Sequence, residues 1–365
     1  MHQVERAIFD LRRGMPVVVD QTLVYPTESI DPQLSDLLVD QTPTLVVSQH
    51  RLNALKHHTD ELSLAFPLKA LPNGTAWVDF QAVHEAACAP ETDLGAMFDT
   101  PRPTTPAEHA SLCLMRRALL LPAALTVSLQ GAFKERVAAL VANGTLLAVD
   151  TTSAQNCYAL SDGMVKRISE AQVPLDKALK TRFILFREPD GLREHVAVVI
   201  GDRDQWPEAP PVRLHSSCLT GDLFGSLRCD CGEQLQNAVE AIEKRGGGVL
   251  LYLSQEGRGI GLANKLRAYQ LQDEGLDTVD ADQLLGFGED ERRYRVAVDI
   301  LAALNIPSIH LLTNNPIKLD ALESGGIEVR ARGSLFGRVT DQNRRYLDAK
   351  QRRSGHWLEE VLERH

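Results

Sequence analysis

Hydrophobic positions along the chain fall in short runs whose spacing alternates between helix and strand. Val4, Ala7, Ile8 and Leu11 recur at helical spacing, and Gly14 ends that run. MPVVVD (15–20) and TLVVS (44–48) read as strands. Between about 66 and 106, short apolar runs broken by proline and glycine predict strands joined by loops. A helix is expected from Pro106 to Leu121, where Pro122 stops it. A second is expected over 132–143, ending at Asn143-Gly144, with LLAVD (146–150) following as a strand.

The second half repeats the alternation. ALKTRFILFRE (178–188) and HVAVVIGD (195–202) read as strands, and GDRDQWPEAPP (201–211) as a loop. Leu235, Ala238, Val239 and Ile242 share one face of a helix that glycines end near 246–248. VLLYL (249–253) is a buried strand, and QEGRGIG opens a loop feeding a helix. A strong helix is expected over 289–305, with Tyr294, Ala297, Val298, Leu301 and Leu304 inward. PSIHLLT (307–313) reads as a strand, and a further helix follows NNPIK. The expected fold class is α/β in two domains, 1–162 and 163–365, with a charged, proline-containing shift near 162–180 read as the linker or the first strand of the second domain. The C-terminal domain is expected to be a layered α/β/α domain with a mixed sheet. Such folds bind ligands at the carboxyl ends of their strands, where EGRGIG and TNNPIK fall.

A chain of 365 residues is long for one core, which agrees with two domains. A net charge of −10 argues against broad nucleic-acid binding but leaves room for a local phosphate pocket. No apolar run approaches the roughly 20 residues of a membrane span, and the amphipathic N-terminus has no signal-peptide core. A cytoplasmic protein with reduced thiols is therefore expected.

Three of the six cysteines, Cys218, Cys229 and Cys231, lie within RLHSSCLTGDLFGSLRCDC (213–231). Cys-Asp-Cys is too polar for a packed strand, so a metal is the better reading than buried apolar thiols. Catalytic zinc takes three protein ligands and keeps one position open. A structural site would want a fourth ligand, for which His215 is the nearest candidate. Cys88, Cys113 and Cys157 read as buried or inert thiols. Taken alone, Glu256-Gly257-Arg258 is as well explained by a structural loop as by a phosphate grip. Lys318 is equally ambiguous, and a solvated helix end is the ordinary account of Asp290 and Arg292.

RLHSSCLTGDLFGSLRCDCG, QEGRGIGLANKLRAYQLQD, the D-x-R of GEDERRY, and LLTNNPIK, in that order, resemble GTP cyclohydrolase II, the first enzyme of riboflavin biosynthesis. The likeness covers roughly 165–356 and ends in NRRYLDAK and SGH. It implies that Cys218, Cys229 and Cys231 hold one zinc, which activates water for attack on C8 of guanine with release of formate. It implies that Tyr269 assists the ring chemistry, that Arg292 attacks the α-phosphate or stabilises its charge, and that Asp290 serves Arg292 as base. The GTP-contacting positions it implies are Arg213, Leu214, His215, Ser216, Ser217, Gln234, Glu256, Gly257, Arg258, Thr278, Thr313 and Lys318. Magnesium would accompany the triphosphate, and a homodimer is expected, with no nucleic-acid or membrane partner. The implied product is 2,5-diamino-6-ribosylamino-4(3H)-pyrimidinone 5′-phosphate. Alternatives are a related zinc hydrolase with an altered purine-nucleotide substrate or an incomplete reaction, and a weakly active nucleotide-binding regulatory protein.

Two positions depart from the family. Ser217 stands where an acidic residue usually precedes the first cysteine, and Ser254 stands where an arginine usually precedes Gln-Glu-Gly-Arg. The first half, with its helix and PVVVD strand, faintly resembles 3,4-dihydroxy-2-butanone-4-phosphate synthase. The dense acidic segment of that family is missing: DQTLVYPTES (20–29) offers only Asp20 and Glu28. Asp20, Glu28 and His109 are read as surface or structural residues, and this half is assigned no catalytic residue.

Overall fold

A computed structural model describes residues 2–69, 78–157 and 165–362. The chain forms two compact units, Met1–Leu160 with Ala263–Asp290, and Ser161–Leu262 with Glu291–His365. The expected domain boundary at 162–163 lies outside the described residues.

The first unit is built on a seven-stranded sheet. Its strands are β1 (Val17–Val19), β2 (Thr22–Pro26), β3 (Thr44–Ser48), β4 (Ser63–Pro67), β5 (Arg102–Pro103), β6 (Ala123–Ser128) and β7 (Leu147–Val149). They lie in the order β5-β4-β3-β6-β2-β1-β7. Val19 pairs with Thr22, so β1 and β2 are joined by a tight turn in which Asp20 takes φ +50°, a conformation aspartate tolerates. The predicted helix at the start is His2–Arg12, with Val4, Ala7, Ile8 and Leu11 buried.

Three expectations for this half need correction. Residues 80–88, expected among strands and loops, form a helix: Asp79 caps it by accepting from Ala82 N, and Val83, Ala86 and Ala87 bury one face. The helix expected to reach Leu121 is Pro106–Arg117, because the chain reverses at Leu119 (φ +59°) with Leu120 N donating to Met115 O. Strands β2 and β6 lie in stretches not predicted as strands. Residues 70–77 of the interval lie outside the described residues.

The helices Leu262–Asp273 and Thr278–Leu284 pack with this first unit. Asn264 Nδ2 donates to Leu119 O (3.2 Å), Arg267 Nη2 to Glu28 Oε2 (2.9 Å), and Arg51 Nη1 to Leu284 O (2.8 Å).

The second unit has a mixed seven-stranded sheet: β8 (Lys166–Gln172), β9 (Thr181–Arg187), β10 (Glu194–Ile200), β11 (Pro211–Ser216), β12 (Gly248–Leu253), β13 (Ser308–Leu312) and β14 (Glu328–Gly333). The order is β14-β13-β11-β12-β10-β9-β8. Strands β8, β9, β10 and β12 pair antiparallel, whereas β12, β11, β13 and β14 run parallel. Strands β11 and β14 lie in stretches not expected to be strands, whereas β8 falls in the stretch 162–180 read as a linker or first strand; β8 and β14 are largely exposed and lack an apolar alternation.

Side chains alternate between the faces of this sheet. Val212, Leu214, Val249, Leu251 and Leu253 join the helices Arg295–Ala303 and Pro316–Ser324 in one core. Val198, Ile200 and Leu250 join Ala238, Val239 and Ile242 of the helix Cys231–Lys244 in another. Helices thus cover both faces, the expected α/β/α layering. The helix expected over 289–305 begins at Arg295, so Asp290 and Arg292 sit in irregular chain ahead of it. Glu291 N donates to Arg258 O (3.0 Å), which ties that stretch to a neighbouring loop instead of a helical turn.

Candidate metal centre and anion subsite

Because β11, β12 and β13 are parallel, their carboxyl ends share one edge of the second unit's sheet. Cys218 follows β11, Gln255–Gly259 follow β12, and Thr313–Asn315 follow β13.

The Sγ atoms of Cys218, Cys229 and Cys231 lie within 4.8 Å of one another, and those of Cys218 and Cys229 are 3.7 Å apart. A tetrahedral zinc with Zn–S bonds of about 2.3 Å requires sulfur pairs about 3.8 Å apart, so the three residues fit that ion. Two glycines make the cluster possible. A Cβ on Gly221 would stand 2.7 Å from Cys229 Sγ, and one on Gly232 would stand 2.4 Å from Gly221 O. Hydrogen bonding with Cys218 raises the thiol pKa of Cys229. Cys231 is raised well above the ordinary value by Cys218, Cys229 and burial. Three adjacent thiolates repel one another, and a divalent cation relieves that repulsion.

Asp222 organises the rim of the centre and was missed by the sequence reading. Its carboxylate accepts from Cys218 N (2.9 Å), from Tyr252 OH (2.9 Å) and from His215 Nε2 (3.1 Å). His215 is buried and stacks on Tyr252 with ring centroids 5.6 Å apart. Burial lowers its pKa, opposed by the bond to Asp222. His215 bonds Asp222 and is not among the three residues of the sulfur cluster. The only signal in the sequence was Asp222's position four residues after Cys218.

The loop after β12 is held against the chain carrying Arg292. Gly257 and Arg258 are left-handed (φ +62° and +58°), and a Cβ on Gly259 would stand 2.8 Å from the Glu291 carbonyl carbon. Glu256 Oε2 accepts from Leu219 N (2.6 Å), linking this loop to the cysteine loop. Gln255 Nε2 donates to Arg293 O (2.5 Å), and Ser216 Oγ lies 3.5 Å from Gln255 Oε1. Arg292 and Lys318 each stand 5.7 Å from the centroid of the Tyr294 ring. Lys318 Nζ donates to Leu214 O (2.7 Å). Thr313 is buried, its Oγ1 accepting from Asn315 N (3.0 Å).

Arg213 is buried beneath this edge, donating to Leu312 O (2.9 Å) and to Gln234 Oε1 (2.5 Å), and burial lowers its pKa to about 10. Gln234 in turn donates to Asp230 Oδ2 (2.5 Å). Ser217 N donates to Leu253 O (2.8 Å), which places Ser217 beside Ser254 on the adjoining strand end. Ser254 N donates to Nδ1 of the fully buried His195 (3.1 Å), whose Nε2 bonds Glu188 (3.0 Å).

The second unit thus brings together Arg213–Ser217, the cysteines, Gln234, Glu256–Arg258, Arg292, Thr313 and Lys318. Tyr269, Thr278 and Asp290 belong to the first unit. There Lys265 Nζ stands 5.6 Å from the Tyr269 ring centroid, and Thr278 opens a helix capped by Asp277. No described helix is long and apolar enough to cross a membrane.

The model for GTP cyclohydrolase II matches residues 166–334. A GTP cyclohydrolase-2 of Azospirillum brasilense is 38% identical over 368 residues, covering 98% of this chain and 94% of that one. A GTP cyclohydrolase-2 of Xylella fastidiosa is 46% identical over 252 residues, 69% of this chain, and this match spans only 62% of that relative's length. A solved two-domain 3,4-dihydroxy-2-butanone 4-phosphate synthase from A. baumannii aligns over 91% of the chain at 16% identity, and its TM-score of 0.32 is too low to bear on the fold.

Proposed function

Because the chain belongs to the GTP cyclohydrolase II family, we propose that it hydrolyses GTP to the 2,5-diaminopyrimidinone ribosyl phosphate, formate and pyrophosphate. The observation that carries this reading is the meeting of three closely placed thiols with the Glu256–Arg258 loop and with the Thr313–Asn315 loop and the helix start carrying Lys318, at one sheet edge. Zinc held by Cys218, Cys229 and Cys231 would supply a Lewis acid that activates water at neutral pH.

The chain's own residues do the rest. Asp222 holds the Cys218 backbone N–H with the same carboxylate that takes Tyr252 and His215, so two further bonds fix the group that positions the first ligand. Arg258, Arg292 and Lys318 offer positive charge to the triphosphate, which magnesium would accompany. Arg292 is better suited to stabilise phosphoryl charge than to attack, since a guanidinium is too basic to be a ready nucleophile. Tyr269 and Asp290 are assigned to ring-opening assistance and to partnering Arg292, on the strength of the motif. A homodimer in the cytoplasm, without nucleic-acid or membrane partners, completes the reading.

The region 1–162 is read as a domain of its own without catalytic residues. Glu28 accepts from Leu121 N and Arg267, Asp20 accepts from Thr151, and His109 Nδ1 bonds Ser63. These three groups are engaged in hydrogen bonds that hold the fold.

Quantifying all three products from GTP with the zinc-loaded protein tests the proposal. Equal formate, pyrophosphate and pyrimidine product supports it. Formate without pyrophosphate would replace it with an incomplete reaction, and neither would replace it with a binding role.

A further inference from the structure

The segment after residue 334 lies beyond the stretch that the family model matches, yet it is bound to the loops of the site. The helix Arg344–Ser354 ends at Gly355 in the left-handed conformation (φ +62°), which turns the chain back. Lys350 Nζ stands 3.5 Å from Asp230 Oδ1, the carboxylate between two of the cysteines. Trp357 N donates to Asn314 O (2.9 Å), next to Thr313, and the Arg332 guanidinium stacks 4.2 Å from the Trp357 ring centroid. Leu347 and Leu358 line a small cavity with Asp230, Phe336 and Gly337. The segment is therefore fastened at one end to the cysteine loop and at the other to the loop that leads into the helix carrying Lys318.

Between those fastenings sits His356, half-buried. Its Nδ1 donates to Lys350 O (3.2 Å), so Nε2 is the atom left to take a further proton. The charges that bear on it are Lys350, Arg292, Lys318 and Arg258, all positive, with Asp230 beyond Lys350. Burial and those four cations push the imidazole down to about 3.

Resting on the reading of the site as a nucleoside triphosphate pocket, we propose that His356 is a further phosphate-binding residue, and that the segment 344–358 is the strap that presents it beside Arg258, Arg292 and Lys318. A bound polyanion offsets the four cations, so His356 takes up a proton on binding and donates it in a charge-assisted hydrogen bond to a phosphate oxygen. This role differs from a packing role, which would leave proton uptake untouched.

The test is calorimetry of inorganic triphosphate binding to the zinc-loaded full chain near neutral pH, in buffers of different ionisation enthalpy. The variants are His356→Ala and His356→Gln, with zinc content and circular dichroism checked against wild type. The expected result is net proton uptake by wild type, loss of that uptake in both variants, and affinity weakened roughly tenfold in His356→Ala. Unchanged affinity and unchanged uptake in a folded, zinc-loaded His356→Ala would overturn the proposal, as would wild type that takes up no proton or binds no triphosphate. The assay needs no turnover. A wild type that binds triphosphate with proton uptake but leaves GTP intact refutes the activity and not the strap; a wild type that turns over GTP while the variants bind triphosphate as it does refutes the strap alone.

Discussion

The carboxylate of Asp222 receives His215 Nε2 at 3.1 Å, and the same carboxylate receives the backbone N–H of Cys218 at 2.9 Å. A buried imidazole and the backbone of the first cysteine of the cluster thereby share one carboxylate. Asp222→Asn keeps the shape but weakens the acceptor, and we expect zinc affinity to fall roughly 10- to 100-fold. Competition with a chromophoric chelator measures it; an unchanged zinc affinity would show that the carboxylate does not position the ligand.

Gly221 makes a sharper structural case. A methyl group there would stand 2.7 Å from Cys229 Sγ and 3.1 Å from Cys218 Sγ, a crowding that the thiols can relieve only by spreading. Gly221→Ala should lose zinc during purification and lower stability by about 1–3 kcal/mol. Metal analysis and denaturant unfolding read both effects, while Gly225→Ala, with open space around it but a positive φ of +64°, should retain zinc.

Ser217 and Ser254 occupy neighbouring strand ends, Ser217 N being bonded to the carbonyl that precedes Ser254. If these positions act as a pair, Ser217→Glu alone and Ser254→Arg alone should each cost stability or activity, and the double change should recover part of it. A double-mutant cycle reads the coupling. Additive single effects would end the pairing idea.

His356 also predicts a pH dependence of stability. Its folded pKa, about 3, lies below the ordinary value of about 6.5, so between those limits the unfolded chain binds the extra proton. Stability should therefore fall as pH drops through that window, and His356→Gln should flatten that part of the curve. Denaturant midpoints of wild type and variant across the window give the comparison; parallel curves would contradict it.

Much of this site was legible because its parts are local in the chain. The cysteines lie within fourteen consecutive positions (218–231), and the strands ending at Leu253 and Leu312 announce themselves as apolar runs. What was hidden depends on partners far apart in sequence. Asp222 looks like any loop carboxylate until β11 and β12 bring His215 and Tyr252 to it. The apolar spacing of 294–304 extends the expected helix forward over Asp290 and Arg292. A backbone bond from Glu291 to Arg258 decides otherwise. Likewise β14 reads as charged chain, EVRARG, and becomes a strand only through pairing with β13.

The most direct measurement of the central claim is formate released from GTP by the zinc-loaded protein, by the protein stripped with a chelator, and by Cys229→Ser. We expect formate from the loaded protein, loss on stripping, recovery on readdition of zinc, and no recovery in Cys229→Ser. Formate release that survives both stripping and Cys229→Ser would contradict a thiolate-held metal as the ring-opening centre, and no formate from the loaded wild type would contradict the proposed reaction itself.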